Sequence, residues 1–289
     1  IMDTEKYGVI DVGSNSVRLM TVFGDYTEKY VKITKLAEGI GKNSRLTETA
    51  MERTADAVLF FIGKAKEFGA DEIFVFATAA VRQAENGDVF TRKIFDKSGV
   101  KVDVISGEKE AEIGARGVLG GSDGGIIDIG GASSEIAVYK NGKKEYAYSL
   151  PIGCVKVETV CGQDREENIS YCRKKVEEYG DIPETDFYGV GGTITTVAAM
   201  ILELEKFDRK IIDGFVIEKE KAEVLRDKLF SLSVEERKKL KGLQPERAEV
   251  IASGAALLCE IMNKCNLNKV TVSDKDNLEG YLDTKRGEK

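Results

Sequence analysis

No histidine occurs in this chain, so Ser-His-Asp and Cys-His nucleophiles, His-ligated zinc and phosphohistidine chemistry are excluded, and acid–base work falls to carboxylates. Four carboxylates stand where they could do it. Asp11, Asp128 and Glu135 lie at or near the ends of strand-like runs beside glycines, and Glu110 opens a helical run in Ser106-Gly-Glu108-Lys-Glu110-Ala-Glu112. Two turns, Asp11-Val-Gly13-Ser14-Asn15-Ser16 and Asp128-Ile-Gly130-Gly131-Ala132-Ser133-Ser-Glu135, supply small residues whose backbone N–H groups could cradle a phosphate. A third, Tyr188-Gly-Val-Gly191-Gly192-Thr193, falls where a helix N-terminus could meet one. A few hard oxygens beside phosphate suit Mg²⁺, which keeps several waters and shares its shell with substrate. Arg82, just past the apolar run Ala77-Thr-Ala-Ala-Val81, could fork a phosphate through two N–H bonds.

Each of these features has an ordinary structural alternative. Gly, Ser and Asn are common turn residues, and Asp11 or Asp128 could simply hydrogen-bond its own turn. Glutamates in a first helical turn offset the helix dipole. Arg82 could sit in a surface salt bridge. What distinguishes the chain is repetition: residues 9–23 and 126–139 both read as strand, Asp-x-Gly turn, strand. Aligned on Asp11 and Asp128, they place Ser16 on Ser133 and Arg18 on Glu135, so equivalent positions carry opposite charge.

The elements that must position these residues follow a repeated plan. In the first half, strands precede a helix from about Thr49, with Thr49-Ala-Met-Glu52 as a capping box and Met51, Ala55, Val58, Leu59 and Ile62 on one face. A strand over Tyr30–Ile40 is expected before it; strand Glu72–Thr78, a helix over 88–97, strand Val100–Ser106 and a helix from Glu108 follow. In the second half Asn141-Gly142 is a hairpin turn. A helix over 169–179, strand Phe187–Val190, a helix from Thr193, a cap at Ser233-Val-Glu-Glu236, a long helix over 246–265, strand Lys269–Ser273 and a helix from Asn277 complete it. The chain thus reads as α/β, two similar domains facing each other across a cleft, with ligands beyond the strand C-termini. The boundary is expected at the glycine run 120–125, giving domains 1–121 and 122–289, with the last helix free to pack back on the first.

The 289 residues suit about two domains. No apolar run approaches the roughly 20 residues of a membrane span, and no secretory leader is expected. Five cysteines without a CxxC pair argue against a disulfide framework and for a reducing, cytoplasmic setting. A net charge of -7 disfavours non-specific nucleic-acid binding, so a polyanionic ligand needs a metal or a local basic patch. The densest such patch is Arg237-Lys238-Lys239-Leu240-Lys241, followed by Arg247. It is either a solvated helix face or a short footprint in which Arg237, Lys238 and Lys241 hold a polyanion through weak contacts that salt screens.

Together these segments resemble the exopolyphosphatase and guanosine pentaphosphate phosphohydrolase family, a branch of the actin and sugar-kinase superfold with ribonuclease-H-like domains. The resemblance rests on the segments beginning Ile10-Asp-Val-Gly, Ala77-Thr-Ala-Ala, Ser106-Gly-Glu-Lys-Glu, Asp128-Ile-Gly-Gly, Ser149-Leu-Pro-Ile-Gly, Gly189-Val-Gly-Gly, Arg247-Ala-Glu-Val and Val272-Ser-Asp274, with Glu279-Gly280. It implies that Glu110 is the base activating water, that Glu135 joins it in catalysis, and that Asp11, Asp128 and Glu135 hold a divalent cation, Mg²⁺. Gly13, Ser14, Asn15, Ser16, Arg82, Gly130, Gly131, Ser133, Gly191, Gly192 and Thr193 would surround the phosphates. The chain departs from the family pattern at Ala132, where a third glycine is usual, at Asp213, where histidine is usual, and at Leu278, where arginine is common. The implied activity is metal-dependent removal of the terminal phosphate of inorganic polyphosphate. The alternatives are guanosine pentaphosphate as substrate, a polyphosphate or alarmone sensor without turnover, and, by analogy of superfold alone, a nucleotide-dependent kinase. No nucleic-acid or membrane partner is expected; a homodimer is compatible with the sequence.

Overall fold

The computed structural model describes residues 5–38 and 44–287. They form two compact units, Ile1–Glu110 with Tyr281–Lys289, and Ala111–Gly280. The first comprises β1 (Lys6–Val12), β2 (Ser16–Phe23), β3 (Tyr26–Ile33), α1 (Glu48–Phe68), β4 (Glu72–Ala77), α2 (Ala79–Gln83), α3 (Gly87–Ser98), β5 (Val102–Val104) and the first turn of α4 (Gly107–Leu119). Its sheet runs β3-β2-β1-β4-β5, with β1, β2 and β3 antiparallel and β4 and β5 parallel to β1. That order and those directions are the ribonuclease-H-like arrangement expected from the sequence.

The second unit repeats the plan. After α4 come β6 (Gly124–Ile129), β7 (Ser134–Lys140), β8 (Lys143–Leu150), α5 (Cys154–Cys161), α6 (Arg165–Val176), β9 (Phe187–Val190) and α7 (Gly191–Ile201). Then follow α8 (Arg209–Ile212), β10 (Val216–Glu218), α9 (Lys219–Ser231), α10 (Val234–Arg237), α11 (Ile251–Lys264), β11 (Lys269–Val272) and α12 (Asn277–Gly287). Its sheet runs β8-β7-β6-β9-β11, with β10 added antiparallel at the far edge. The β7–β8 hairpin turns on Asn141 and Gly142, both at positive φ, as a type I′ turn demands.

Local signals account for most boundaries. The cap of α1 is Thr47, whose hydroxyl accepts from the Ala50 N–H, so the helix starts ahead of the expected Thr49 box. Met51, Ala55, Val58 and Ile62 are buried as their spacing requires, while Leu59 is only half-buried. The Ser233–Glu236 capping box forms in full. The strand expected over Tyr30–Ile40 is β3, set back because the turn at Gly24 starts it at Tyr26; residues 39 and 40 lie outside the described residues. The long helix expected over 246–265 begins only at Ile251, after a turn at Pro245–Arg247.

The division between units falls inside α4 and not at the glycine run 120–125. Ala111, Ala115 and Leu119, spaced to share one helix face, pack on Ile126 and Ala137 of β6 and β7, which draws most of α4 into the second unit. Tyr281 belongs to the first unit, stacked on Phe76 at 4.4 Å with its hydroxyl donating to Asp103. Within the second unit α4 and α12 cross at backbone contact. A Cβ on Gly280 would lie 1.7 Å from the Ile113 carbonyl oxygen and 2.9 Å from the Gly117 nitrogen. Gly280→Ala must therefore push two helices apart, and urea unfolding should show a loss of roughly 3 kcal/mol. A loss below about 0.5 kcal/mol, the level of an inert surface change, would mean the crossing is not tightly packed.

Candidate functional site

In each unit the residues singled out by the sequence gather at the C-terminal ends of parallel strands. In the first, β1 leads to 13–16, β4 to 78–82 and β5 to 106–110, and Thr78 and Ile105 donate to the carbonyls of Val12 and Ala77 on the neighbouring strands. In the second, β6 leads to 130–133, β9 to 191–193 and β11 to 273–277.

The two Asp-x-Gly turns are the same structure. Gly13 N–H donates to the Ser16 carbonyl at 3.0 Å, and Gly130 N–H to the Ser133 carbonyl at 3.0 Å. The turn carbonyls face away into the fold: those of Ser14 and Asn15 accept from Thr34, Lys35 and Ala37, and those of Gly130 and Gly131 from Cys154, Val155 and Lys156. The Asn15 side chain is buried, yet among the described residues neither its amide nitrogen nor its oxygen has a hydrogen-bond partner. A buried amide in that state takes its partners from bound water or a polar ligand.

The register confirms the opposed charges. Asp11 pairs with Arg18 across β1 and β2, and Asp128 pairs with Glu135 across β6 and β7. Directly opposed residues of antiparallel strands share a face. The Arg18 guanidinium grips Asp11 Oδ2 from Nε at 3.1 Å and Nη2 at 2.5 Å, so Asp11 is engaged across the hairpin and not by its own turn alone. In the second unit two buried carboxylates face each other instead, exposed 7% and 1%. Ser149, next in the row on β8, donates to Glu135 Oε1 at 2.6 Å, and Asn277 donates to Asp128 Oδ2 at 3.2 Å.

Glu110 is buried, and Arg82 donates to its Oε2 at 3.0 Å and to the Ile105 carbonyl at 2.9 Å through the same nitrogen. The pair is a largely buried one, not the surface bridge that Arg82 could have made alone. Glu108 in the same turn is exposed.

At the start of α7, Gly191 has φ +85° and a Cβ there would meet Asp128 Oδ1 at 2.3 Å, so only glycine allows the backbone this close to the carboxylate. The Arg247 guanidinium lies over Gly192, both terminal nitrogens 2.6 Å from where a Cβ would stand. Arg247 thus leaves the cationic run and joins the helix N-terminus of the third glycine turn, beside buried Thr193. Sequence reasoning placed Arg247 with its neighbours and missed this contact.

Of the rest of that cationic run, Arg237 is turned into the core. Arg237 is 1% exposed and donates to the Leu229 and Ala248 carbonyls and to Gln163 Oε1. Lys238 pairs with Glu235 and Lys241 with Glu205 on solvated faces. Arg237→Ala would leave buried acceptors unmet and should lower stability by about 2–4 kcal/mol in denaturant titration. Neutralising Lys238 and Lys241 should leave the salt dependence of activity unchanged; a flatter salt response would restore them to the footprint.

Comparison with known proteins identifies the family. A model of the Ppx/GppA phosphatase family matches residues 21–288. The chain belongs to that family. It is 31% identical to a bifunctional 3-dehydroquinate synthase/phosphatase of Fusobacterium nucleatum over 94% of this chain and 45% of that one. It is 30% identical to a guanosine-5'-triphosphate,3'-diphosphate pyrophosphatase of Photobacterium profundum over 96% and 58%. The chain therefore spans about half the length of these relatives. With exopolyphosphatase 2 of Mycobacterium tuberculosis it shares 27% identity over 96% of this chain and 98% of that one. The crystal structure of an Aquifex aeolicus member of the Ppx/GppA family, 26% identical, superposes with a TM-score of 0.80 and covers 98% of both chains.

Against the Ppx/GppA pattern, two departures find a structural account. Ala132 is not among the residues at positive φ, so its methyl group costs the turn no backbone strain. Asp213 accepts from the Asp274 N–H at 2.9 Å and so pins the segment that precedes α12. Leu278 is fully buried, and nothing in the structure explains why it replaces arginine.

Among the described residues no three His, Cys, Asp or Glu side chains form a cage for a metal ion. Two opposed carboxylates held by neutral donors nevertheless fit Mg²⁺, which takes one or two carboxylates and fills its shell with water and phosphate. The cysteines fit neither metal nor disulfide chemistry: all are free, and burial pushes the thiols of Cys259 and Cys265 up to about 12. No helix among the described residues is long and apolar enough to cross a membrane.

Proposed function

We propose that this Ppx/GppA protein is a cytoplasmic exopolyphosphatase that hydrolyses the terminal phosphoanhydride bond of inorganic polyphosphate with Mg²⁺. The observation that carries the reading is the buried Asp128–Glu135 pair facing across β6 and β7 beside a phosphate-type turn. Two such charges opposed without a cation would repel, and a divalent ion on substrate phosphate is what they suit. Asp11 has Oδ2 committed to Arg18, so we assign the metal-holding role to Asp128 and Glu135. The bound ion would draw charge from the phosphoryl oxygens.

The protein's own groups carry the remaining work. Glu110, held by Arg82, accepts a proton from the attacking water. The water oxygen bonds to the terminal phosphorus, the bridging P–O bond breaks, and its electron pair leaves with the shortened chain. For phosphate, the first unit offers the backbone N–H groups of 13–16 with Asn15 and Ser16, and the second offers those of 130–133 and the α7 N-terminus with Ser133, Thr193 and Arg247. Polyphosphate is favoured because the match to the Mycobacterium tuberculosis exopolyphosphatase runs over nearly the full length of both chains. Guanosine pentaphosphate is the second reading, supported by the slightly higher identity to the Photobacterium profundum enzyme.

Hydrolysis in H₂¹⁸O separates this reading from a transferase or a sensor. The expected result is one labelled oxygen in each released orthophosphate and none in the remaining chain. Label in the chain terminus instead would place attack on the wrong phosphorus, and no release at all would leave a binding protein.

A further inference from the structure

We propose that Asn277 is a positioning residue for Asp128: it follows Ser273 by four residues as Glu110 follows Ser106, and its amide orients that carboxylate for a divalent cation. The inference rests on the reading that Asp128 and Glu135 hold the ion.

The internal repeat extends to the third parallel strand of each unit. β5 is followed by Ile105 and Ser106, and β11 directly by Ser273; four residues after each serine come Glu110, the fourth residue of α4, and Asn277, the first of α12. Glu110 is held by Arg82, whereas Asn277 turns to Asp128, 149 residues away in sequence, through Nδ2 at 3.2 Å from Oδ2. With a carboxylate opposite, the donating nitrogen must be the atom that faces it.

The segment before Asn277 is built to hold it there. Ser273 Oγ accepts from the Lys275 N–H and donates to the Lys275 carbonyl, and Asp213 accepts from the Asp274 N–H. Asp276 Oδ1 accepts from Leu278 N–H while Glu279 Oε2 accepts from Asp276 N–H, a reciprocal cap that fixes Asn277 as the first residue of α12. Asn277 is 3% exposed, and among the described residues its Oδ1 has no hydrogen-bond partner. It lies against Gly114, where a Cβ would come within 2.8 Å of Oδ1. Oδ1 makes no hydrogen bond that a leucine of similar size would lose, so what asparagine contributes is the donor to Asp128 Oδ2.

The two halves use that contact differently. At Asp11 the donor is a guanidinium, which orients the carboxylate and offsets its charge. At Asp128 the contact from Asn277 is a neutral amide, which orients the carboxylate without adding a positive charge. Groups that orient metal ligands in this way are typically worth 10–100-fold in metal affinity.

The test is Mn²⁺ binding measured by electron paramagnetic resonance in the presence of inorganic phosphate, on wild type, Asn277→Leu and Asp128→Asn. Wild type should bind, Asp128→Asn should not bind measurably, and Asn277→Leu should bind at least about tenfold more weakly with its circular dichroism unchanged. Should Asn277→Leu fail to fold, Asn277→Ala removes the same donor with less volume and is expected to show the same weakening. Unchanged affinity in a folded Asn277 variant, with Asp128→Asn still defective, would overturn the positioning role alone. Absence of Mn²⁺ binding in wild type would instead remove the metal reading itself, and this inference with it.

Discussion

Glu110→Gln should lower the turnover number by roughly 10²–10⁴-fold while leaving substrate affinity within a few fold, the range typical for loss of a general base. On the activation scale that is about 2.7–5.5 kcal/mol. The substitution keeps the shape of the side chain and an oxygen for the 3.0 Å contact from Arg82, so the fold should be undisturbed. Its control is Glu108→Gln: Glu108 lies in the same first turn of α4 but is exposed, and its loss should leave turnover unchanged. Single-turnover kinetics on both variants decides the matter. Equal losses would point to a helix-dipole or folding effect, and an unchanged rate in Glu110→Gln would remove it from the mechanism.

Asp128→Asn and Glu135→Gln should each raise the Mg²⁺ concentration for half-maximal activity by at least about tenfold, because each deletes one anionic oxygen donor from the proposed metal shell. The same variants give a signature independent of turnover. An ion that binds only the folded protein stabilises it by about 2.7 kcal/mol at a hundredfold excess over its dissociation constant. Mg²⁺ should therefore raise the melting temperature of wild type and have little effect on either variant. Equal stabilisation of all three proteins would place the ion elsewhere.

The equivalence of the two Asp-x-Gly hairpins was legible in the sequence: aligning Asp11 with Asp128 put Arg18 and Glu135 at matching positions, and the structure adds that each lies across from its aspartate. The Asn141-Gly142 turn and the Ser233–Glu236 box were legible too, since each is decided within a few residues. The sequence pointed to Thr49 as the cap of α1, and the backbone places the cap at Thr47 instead. Contacts set by tertiary packing were out of reach. Nothing local to Arg237 distinguishes a guanidinium buried among carbonyls from its solvated neighbours Lys238 and Lys241. The approach of Arg247 to Gly192 and of Asn277 to Asp128 likewise depends on how α7, α11 and α12 meet the sheet, which no periodicity records. The unit boundary misled for a related reason, because a glycine run suggests a linker while the small apolar face of α4 decides which sheet it covers.

The most direct measurement of the central claim is phosphate release from inorganic polyphosphate, guanosine pentaphosphate and ATP, assayed side by side with and without Mg²⁺. Mg²⁺-dependent release from polyphosphate, faster than from either nucleotide, is the result expected of an exopolyphosphatase. Release that persists in excess chelator, or that occurs only from one of the nucleotides, would contradict it.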